Sequence, residues 1–239
     1  MFFLVECGDE SFRTHPVTHL RKIAQDQIEG LDTVTKYNFV FVGSVGVGKS
    51  TLINSLRGIF KESDEQFAAV NETECTQQMQ SYVHPKYASV VFWDTPGAGT
   101  EGRPSKDYFF KQKMYAFDHI IIVCAERIRD LDFTIAHEAQ KHNVPYSFVR
   151  SKVDLDIDSR MKQTRPAKSV TDIKQSLRLA INDDFAIQYQ AARLESDQKI
   201  QIVSQEGFDF ECEKAQYYAM DEKQFLTYVL DTSLKRRNE

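Results

Sequence analysis

The chain has 239 residues, 41% of them hydrophobic, with 35 acidic and 30 basic residues and a formal net charge of -5. This is apolar material for one core at the upper end of single-domain size, with no room for a second large domain. The mixed charge shows no nucleic-acid footprint, and no run approaches the length that crosses a bilayer.

Cys7, Cys75, Cys124 and Cys212 lie far apart without Cys-x-x-Cys spacing, which argues against zinc and for a reducing compartment, so a cytoplasmic location is expected. The apolar start Met1 to Val5 is too short for a signal peptide, and Phe2 excludes N-myristoylation of the chain as written.

In chain order, residues 20–28 space Leu20, Ile23, Ala24 and Ile28 on one face of an amphipathic helix. Strands are expected over residues 38–42, 79–84, 89–93, 119–124, 146–150 and 199–203, rich in Val, Ile, Phe and Tyr. Helices are expected at about 49–58, 107–116, 130–142 and 167–194, and a last amphipathic one over 213–234. The alternation predicts an α/β fold, a mostly parallel six-stranded sheet with helices on both faces, and the turn at Pro85-Lys86-Tyr87 predicts one antiparallel edge pair. The expected organisation is an N-terminal helical extension over 1–36, a nucleotide-binding domain over 37–206 and a C-terminal helix over 207–239.

The run Gly43-Ser44-Val45-Gly46-Val47-Gly48-Lys49-Ser50 is entered from an apolar strand and followed by helix-like sequence from Thr51 to Leu56. Such a turn points backbone N–H groups and a helix N-terminus at bound phosphates. Lys49 would neutralise the β and γ oxygens, and Ser50 would ligate magnesium. The strand ending at Asp94 supplies a carboxylate for the magnesium, and Gly97 just beyond it a backbone N–H for a γ-phosphate.

A third motif, Ser151-Lys152-Val153-Asp154, follows the strand at 146–150. A carboxylate there accepts both N1–H and the exocyclic amine of guanine, a donor pair that adenine lacks. Lys152 would lay its aliphatic stem over the base. The Asp154-x-Asp156-x-Asp158 run is not a calcium loop, since no Gly stands at the sixth position and Arg165 replaces the closing Glu.

These three motifs, in this order and each at a strand end, resemble the guanine-nucleotide-binding domain of regulatory GTPases. The finer text, including Leu52-Ile53-Asn54-Ser55-Leu56-Arg57-Gly58, Val91-Phe92-Trp93-Asp94-Thr95-Pro96-Gly97 and Phe148-Val149-Arg150-Ser151-Lys152-Val153-Asp154, is most similar to the immunity-related GTPases of the dynamin-like group, over about residues 37–204. The resemblance implies a Ras-like P-loop fold, GTP hydrolysis, nucleotide-dependent self-association as a homodimer, and peripheral action at intracellular membranes. It makes Thr76 the first-switch hydroxyl on magnesium, with Thr73 the runner-up, and Ser204 the match to the remaining base-edge loop.

The chain departs from that pattern in three ways. Family members append a large helical domain; some are N-myristoylated; and Ser151 stands where Asn or Thr is usual. Ala98 stands where Ras-like enzymes hold the Gln that orients the attacking water, so slow intrinsic hydrolysis is expected. Glu101 and Arg103 are the nearby groups able to help, in cis or across a dimer. Two classes stay open: an active GTPase switch, and a pseudo-GTPase interaction module with negligible turnover.

Overall fold

The computed structural model describes residues 17–68, 78–97, 105–163, 168–194 and 199–235. Its centre is a six-stranded sheet in the order β2-β3-β1-β4-β5-β6, formed by β1 (Tyr37–Val42), β2 (Gln80–Val83), β3 (Val90–Asp94), β4 (His119–Cys124), β5 (Tyr146–Arg150) and β6 (Gln201–Ile202). Every pairing is parallel except β2 with β3, the expected edge pair.

Strands β1, β3, β4 and β5 are buried along their whole length and mostly apolar because both faces are covered, whereas the edge strand β2 is largely exposed. Val40, Val42, Trp93, Ile120, Ile122 and Phe148 face a core shared with α3 (Ser105–Lys111), α4 (Asp130–Lys141), α5 (Val153–Gln163) and α6 (Val170–Ala191). The alternate residues Phe39, Phe41, Phe92, Ile121, Val123 and Val149 face a second core with α2 (Lys49–Arg57), α7 (Gln205–Phe208) and α9 (Glu222–Lys235). Each such side chain contributes about 1.5–3 kcal/mol by leaving water.

The N-terminal helix α1 (Val17–Asp26) clamps the end of the sheet away from the glycine-rich turn. Arg21 donates to Phe117 O at 2.9 Å and Gln25 to Ala116 O at 2.8 Å, while Asp118 accepts the Asn38 N–H at 2.8 Å. Trp93 closes the network by donating from Nε1 to Asn38 Oδ1 at 3.0 Å.

Several elements differ from the sequence expectation. The helix expected over 107–116 divides into α3 and a 3-10 turn at Met114–Ala116, because Lys113 takes a left-handed conformation at φ 49°. The acidic run after Ser151 is helical: α5 buries Val153 and Ile157 and places Asp154 and Asp156 in its first turn, where carboxylates suit the helix dipole. The last strand shortens to Gln201–Ile202.

The helix expected over 213–234 is broken into α8 (Glu213–Tyr218) and α9. Two consecutive carboxylates make the break. Asp221 accepts the Ile202 N–H at 2.9 Å and pairs with Arg178 at 2.5 Å. Glu222, itself buried, accepts the Ser204 N–H at 2.8 Å and the Met220 N–H at 2.5 Å.

Candidate functional site

The site lies where β1, β3, β4 and β5 end. Three glycines give the turn after β1 its shape. Gly43 has φ 145°, and a Cβ on it would sit 2.2 Å from the Val123 carbonyl oxygen, so only glycine lets the turn cross β4 here. Gly46 at φ 76° and Gly48 at φ 91° are left-handed, the latter at the N-cap of α2. Val45 lies on the outer side of the turn and Val47 is buried beneath it.

Lys49 opens α2 with its ammonium buried, donating to Gly43 O at 3.2 Å and Ser44 O at 3.1 Å. Burial draws its pKa down, against the opposing pull of Asp94 and Asp132. The next residue, Ser50, donates its hydroxyl to Asp94 Oδ2 at 2.5 Å, and Thr51 follows in the first turn, partly buried. Hydroxyl and carboxylate oxygens in contact beside an ammonium are the hard donor set that suits magnesium shared with phosphates, so these residues fit that ion.

Beyond Asp94, Thr95 Oγ1 donates to Phe41 O at 2.7 Å. Gly97 lies hard against the phosphate-loop turn: a Cβ there would fall 2.3 Å from Val45 Cγ2 and 2.8 Å from Val45 Cα.

Ser151 reaches the same turn from β5, its Oγ lying 2.6 Å from Val47 O and 3.0 Å from Cys124 O. Lys152 is left-handed at φ 59°, and its Cε lies 3.8 Å from where a Cβ on Gly48 would be, so its stem runs beside the turn. Asp154 is half-buried in the first turn of α5. Burial raises its pKa first, with Glu206, Asp158 and Asp156 adding to the rise.

Ser204 is buried, and its polar groups are already committed. Its N–H and hydroxyl meet Glu222 Oε1 at 2.8 and 3.3 Å, and its Oγ caps α7 by accepting the Gly207 N–H at 3.0 Å. Thr73, Thr76, Ala98, Glu101 and Arg103 lie outside the described residues.

One group of the site escaped the sequence reading. Asp132, 2% exposed on α4, accepts the Arg129 N–H through Oδ2 at 2.9 Å, while its Oδ1 has no hydrogen-bond partner among the described residues. Burial pushes its carboxyl up to about 6, against the pull of Arg129 and of Lys49. The signal was present: Asp132 shares the buried face of α4 with Ile135, Ala136 and Ala139, an acid in an apolar stripe.

A strand, a glycine turn holding a buried lysine, and a helix, placed at the carboxyl edge of a parallel sheet, define a P-loop nucleotide-binding domain of the G-domain class. The fold agrees with that of the solved structure of Era in complex with MgGDPNP and nucleotides of 16S ribosomal RNA: TM-score 0.50, 20% identity, covering 84% of this chain and 57% of that one. Residues 9–210 match the sequence pattern of the interferon-inducible GTPase (IIGP) family, and the chain belongs to that family. It is 37% identical over 125 residues to interferon-gamma-inducible GTPase 10 of Mus musculus, covering 52% of this chain and 30% of that protein. It is 35% identical over 160 residues to interferon-inducible GTPase 1 of Mus musculus, covering 67% of this chain and 38% of that protein. The matched part of the chain thus spans about a third of the length of these curated relatives.

Proposed function

We propose that this domain binds guanine nucleotide with magnesium and hydrolyses GTP to GDP and phosphate, as a switch whose conformation follows the γ-phosphate. The observation that carries the reading is convergence. Lys49, the Ser50–Asp94 pair, Gly97 and the Ser151–Asp154 segment meet around one turn, joined by Ser151 to Val47 and by Gly97 to Val45.

The backbone N–H groups from Val45 to Thr51 cradle the phosphates, and Lys49 exchanges two neutral carbonyls for phosphate oxygens, a charge-assisted trade for a buried ammonium. Ser50 and Asp94 would hold magnesium, with the Thr76 hydroxyl as the further donor and Thr73 the alternative, and the ion would supply neutralisation of phosphate charge. Gly97 gives its N–H to the γ-phosphate. Asp154 accepts the two guanine donors, Lys152 covers the base plane, and Ser151 fixes the base segment to the phosphate loop. Ser204 braces the base-edge loop through Glu222 and presents no spare donor of its own.

Ala98 offers no amide to orient water, so we assign the missing group to a second copy docking across the nucleotide, with Glu101 and Arg103 as its contributors. That same residue favours the second reading, a nucleotide-holding interaction module with negligible turnover. We place the protein in the cytosol, on its separated cysteines, and at intracellular membranes on family membership. Single-turnover hydrolysis of GTP against ATP at low and high micromolar protein tests the reading. The expected result is turnover of GTP alone, starting near the intrinsic Ras scale of about 10⁻⁴ per second and rising with concentration. No turnover despite tight GTP binding supports the module; equal affinity for ATP refutes the guanine assignment.

A further inference from the structure

Tyr108 stands on α3, outside all three nucleotide motifs, yet its hydroxyl is bonded into the segment that follows Asp94. It donates to Pro96 O at 2.5 Å and lies 3.0 Å from Thr95 Oγ1. The Thr95 hydroxyl also lies within donating distance of Phe41 O. Either oxygen of the Thr95–Tyr108 pair can be the donor, while the phenol's own proton reaches Pro96 O. Burial above all keeps this phenol protonated, with Thr95 opposing and Asp94 and Asp132 adding to the effect.

The carbonyl that Tyr108 grips shares one rigid peptide plane with the N–H of Gly97. In a trans peptide, a C=O turned towards the phenol turns that N–H the opposite way. Gly97 itself lies in contact with Val45 of the phosphate loop. The backbone alone does not hold this plane. The proline ring fixes its own φ but not its ψ, and Gly97 has no Cβ to restrict its φ, so the intervening peptide swivels cheaply unless a side chain clamps it.

We propose that Tyr108 is a positioning residue for the γ-phosphate: by clamping the Pro96 carbonyl it aims the Gly97 N–H, and so sets how strongly the site prefers a nucleoside triphosphate to the diphosphate. The proposal rests on the guanine-nucleotide reading above. It assigns Tyr108 no contact with the nucleotide; its effect is to prepay the orientation of a donor that only the triphosphate uses.

The test is Tyr108→Phe in the full chain, which keeps the ring and its packing and removes the clamp. Dissociation constants for GDP and for a non-hydrolysable GTP analogue are measured on the same preparation by titration calorimetry, with magnesium present. We expect GDP affinity within twofold of the parent and analogue affinity weaker by about five- to tenfold, the scale of one lost hydrogen bond. A merely structural role leaves the ratio of the two constants unchanged, because misfolded protein lowers the binding stoichiometry and not the ratio. A parent that binds both nucleotides, with a variant that keeps the parent's ratio, overturns the role of Tyr108 alone. A parent that binds neither overturns the guanine-nucleotide reading and the inference with it.

Discussion

Replacing Asp154 with Asn changes one oxygen for an amide in a pocket that is already negative. Burial first, then Glu206, Asp158 and Asp156, raise the Asp154 pKa, so its charged form would gain from a ligand edge that brings donors. Guanine brings two. A hydrogen bond to a charged acceptor contributes about 1.5–3 kcal/mol, and Asn keeps one neutral acceptor while turning a donor against the guanine amine. Discounted for the half-exposed position, the loss is about 2–4 kcal/mol, or roughly 30- to 1,000-fold in Kd. Xanthine nucleotides, whose 2-oxo group suits the amide, gain affinity in the same variant. Thermal stability is the internal control: relief of carboxylate crowding opposes loss of a favourable charge in the first turn of α5, so Tm stays within about 2 °C of the parent. Competition of labelled GDP with GTP, XTP and ATP reads all of this in one plate. An Asp154→Asn protein that holds GTP within threefold of the parent and still rejects XTP refutes the reasoning.

Lys49→Ala is expected to abolish measurable nucleotide binding, because among the described residues no other ammonium is buried at the turn, whereas Asp94→Asn spares GDP and weakens the GTP analogue and its magnesium dependence; equilibrium titration with and without chelator checks both. Gly43→Ala drives a Cβ to within 2.2 Å of the Val123 carbonyl and lowers unfolding stability by about 2 kcal/mol or more, read by urea denaturation. Asp132→Asn is expected to stabilise the nucleotide-free domain at pH 7.5 by roughly 1–3 kcal/mol. The sign follows from a folded pKa of about 6 against the usual 3.8. Above pH 6 the parent bears the cost of a buried carboxylate; below pH 4 the group is protonated folded and unfolded alike, and the gain vanishes. An equal gain at pH 4 and pH 7.5 counts against the assignment.

The central strands and the phosphate loop were legible because each is specified locally. Continuous Val, Ile and Phe runs suit strands covered on both faces, and the three left-handed or crowded glycines have no substitute in a turn of that shape. The helix α5 is absent from the sequence expectation because the alternate carboxylates Asp154, Asp156 and Asp158 obscure its apolar face. Its stability comes from Val153 and Ile157, buried against a core that no short window of sequence reveals. Asp132 is hidden for a related reason: a carboxylate in a helix is ordinarily at the surface, and the packing of α4 against α3 and β4 puts this one inside. The break between α8 and α9 is set by bonds from Asp221 and Glu222 to Ile202 and Ser204, residues far back in the chain. The assignments of Thr73, Thr76, Ala98, Glu101 and Arg103 rest on sequence and family, since these residues lie outside the described structure.

Those bonds from Asp221 and Glu222 also have a mechanical meaning. They fasten the start of α9 to the strand end and loop beside Asp154, so α9 is a lever and the buried Glu222 carboxylate its fulcrum. On the guanine-nucleotide reading, a load that tilts the helix is expected to strain the Ser204 loop and weaken nucleotide binding. By linkage the influence would run equally in reverse: a nucleotide that stiffens this loop would resist the tilt with the same free energy, so the angle of α9 and the affinity of the ligand would be two readings of one quantity.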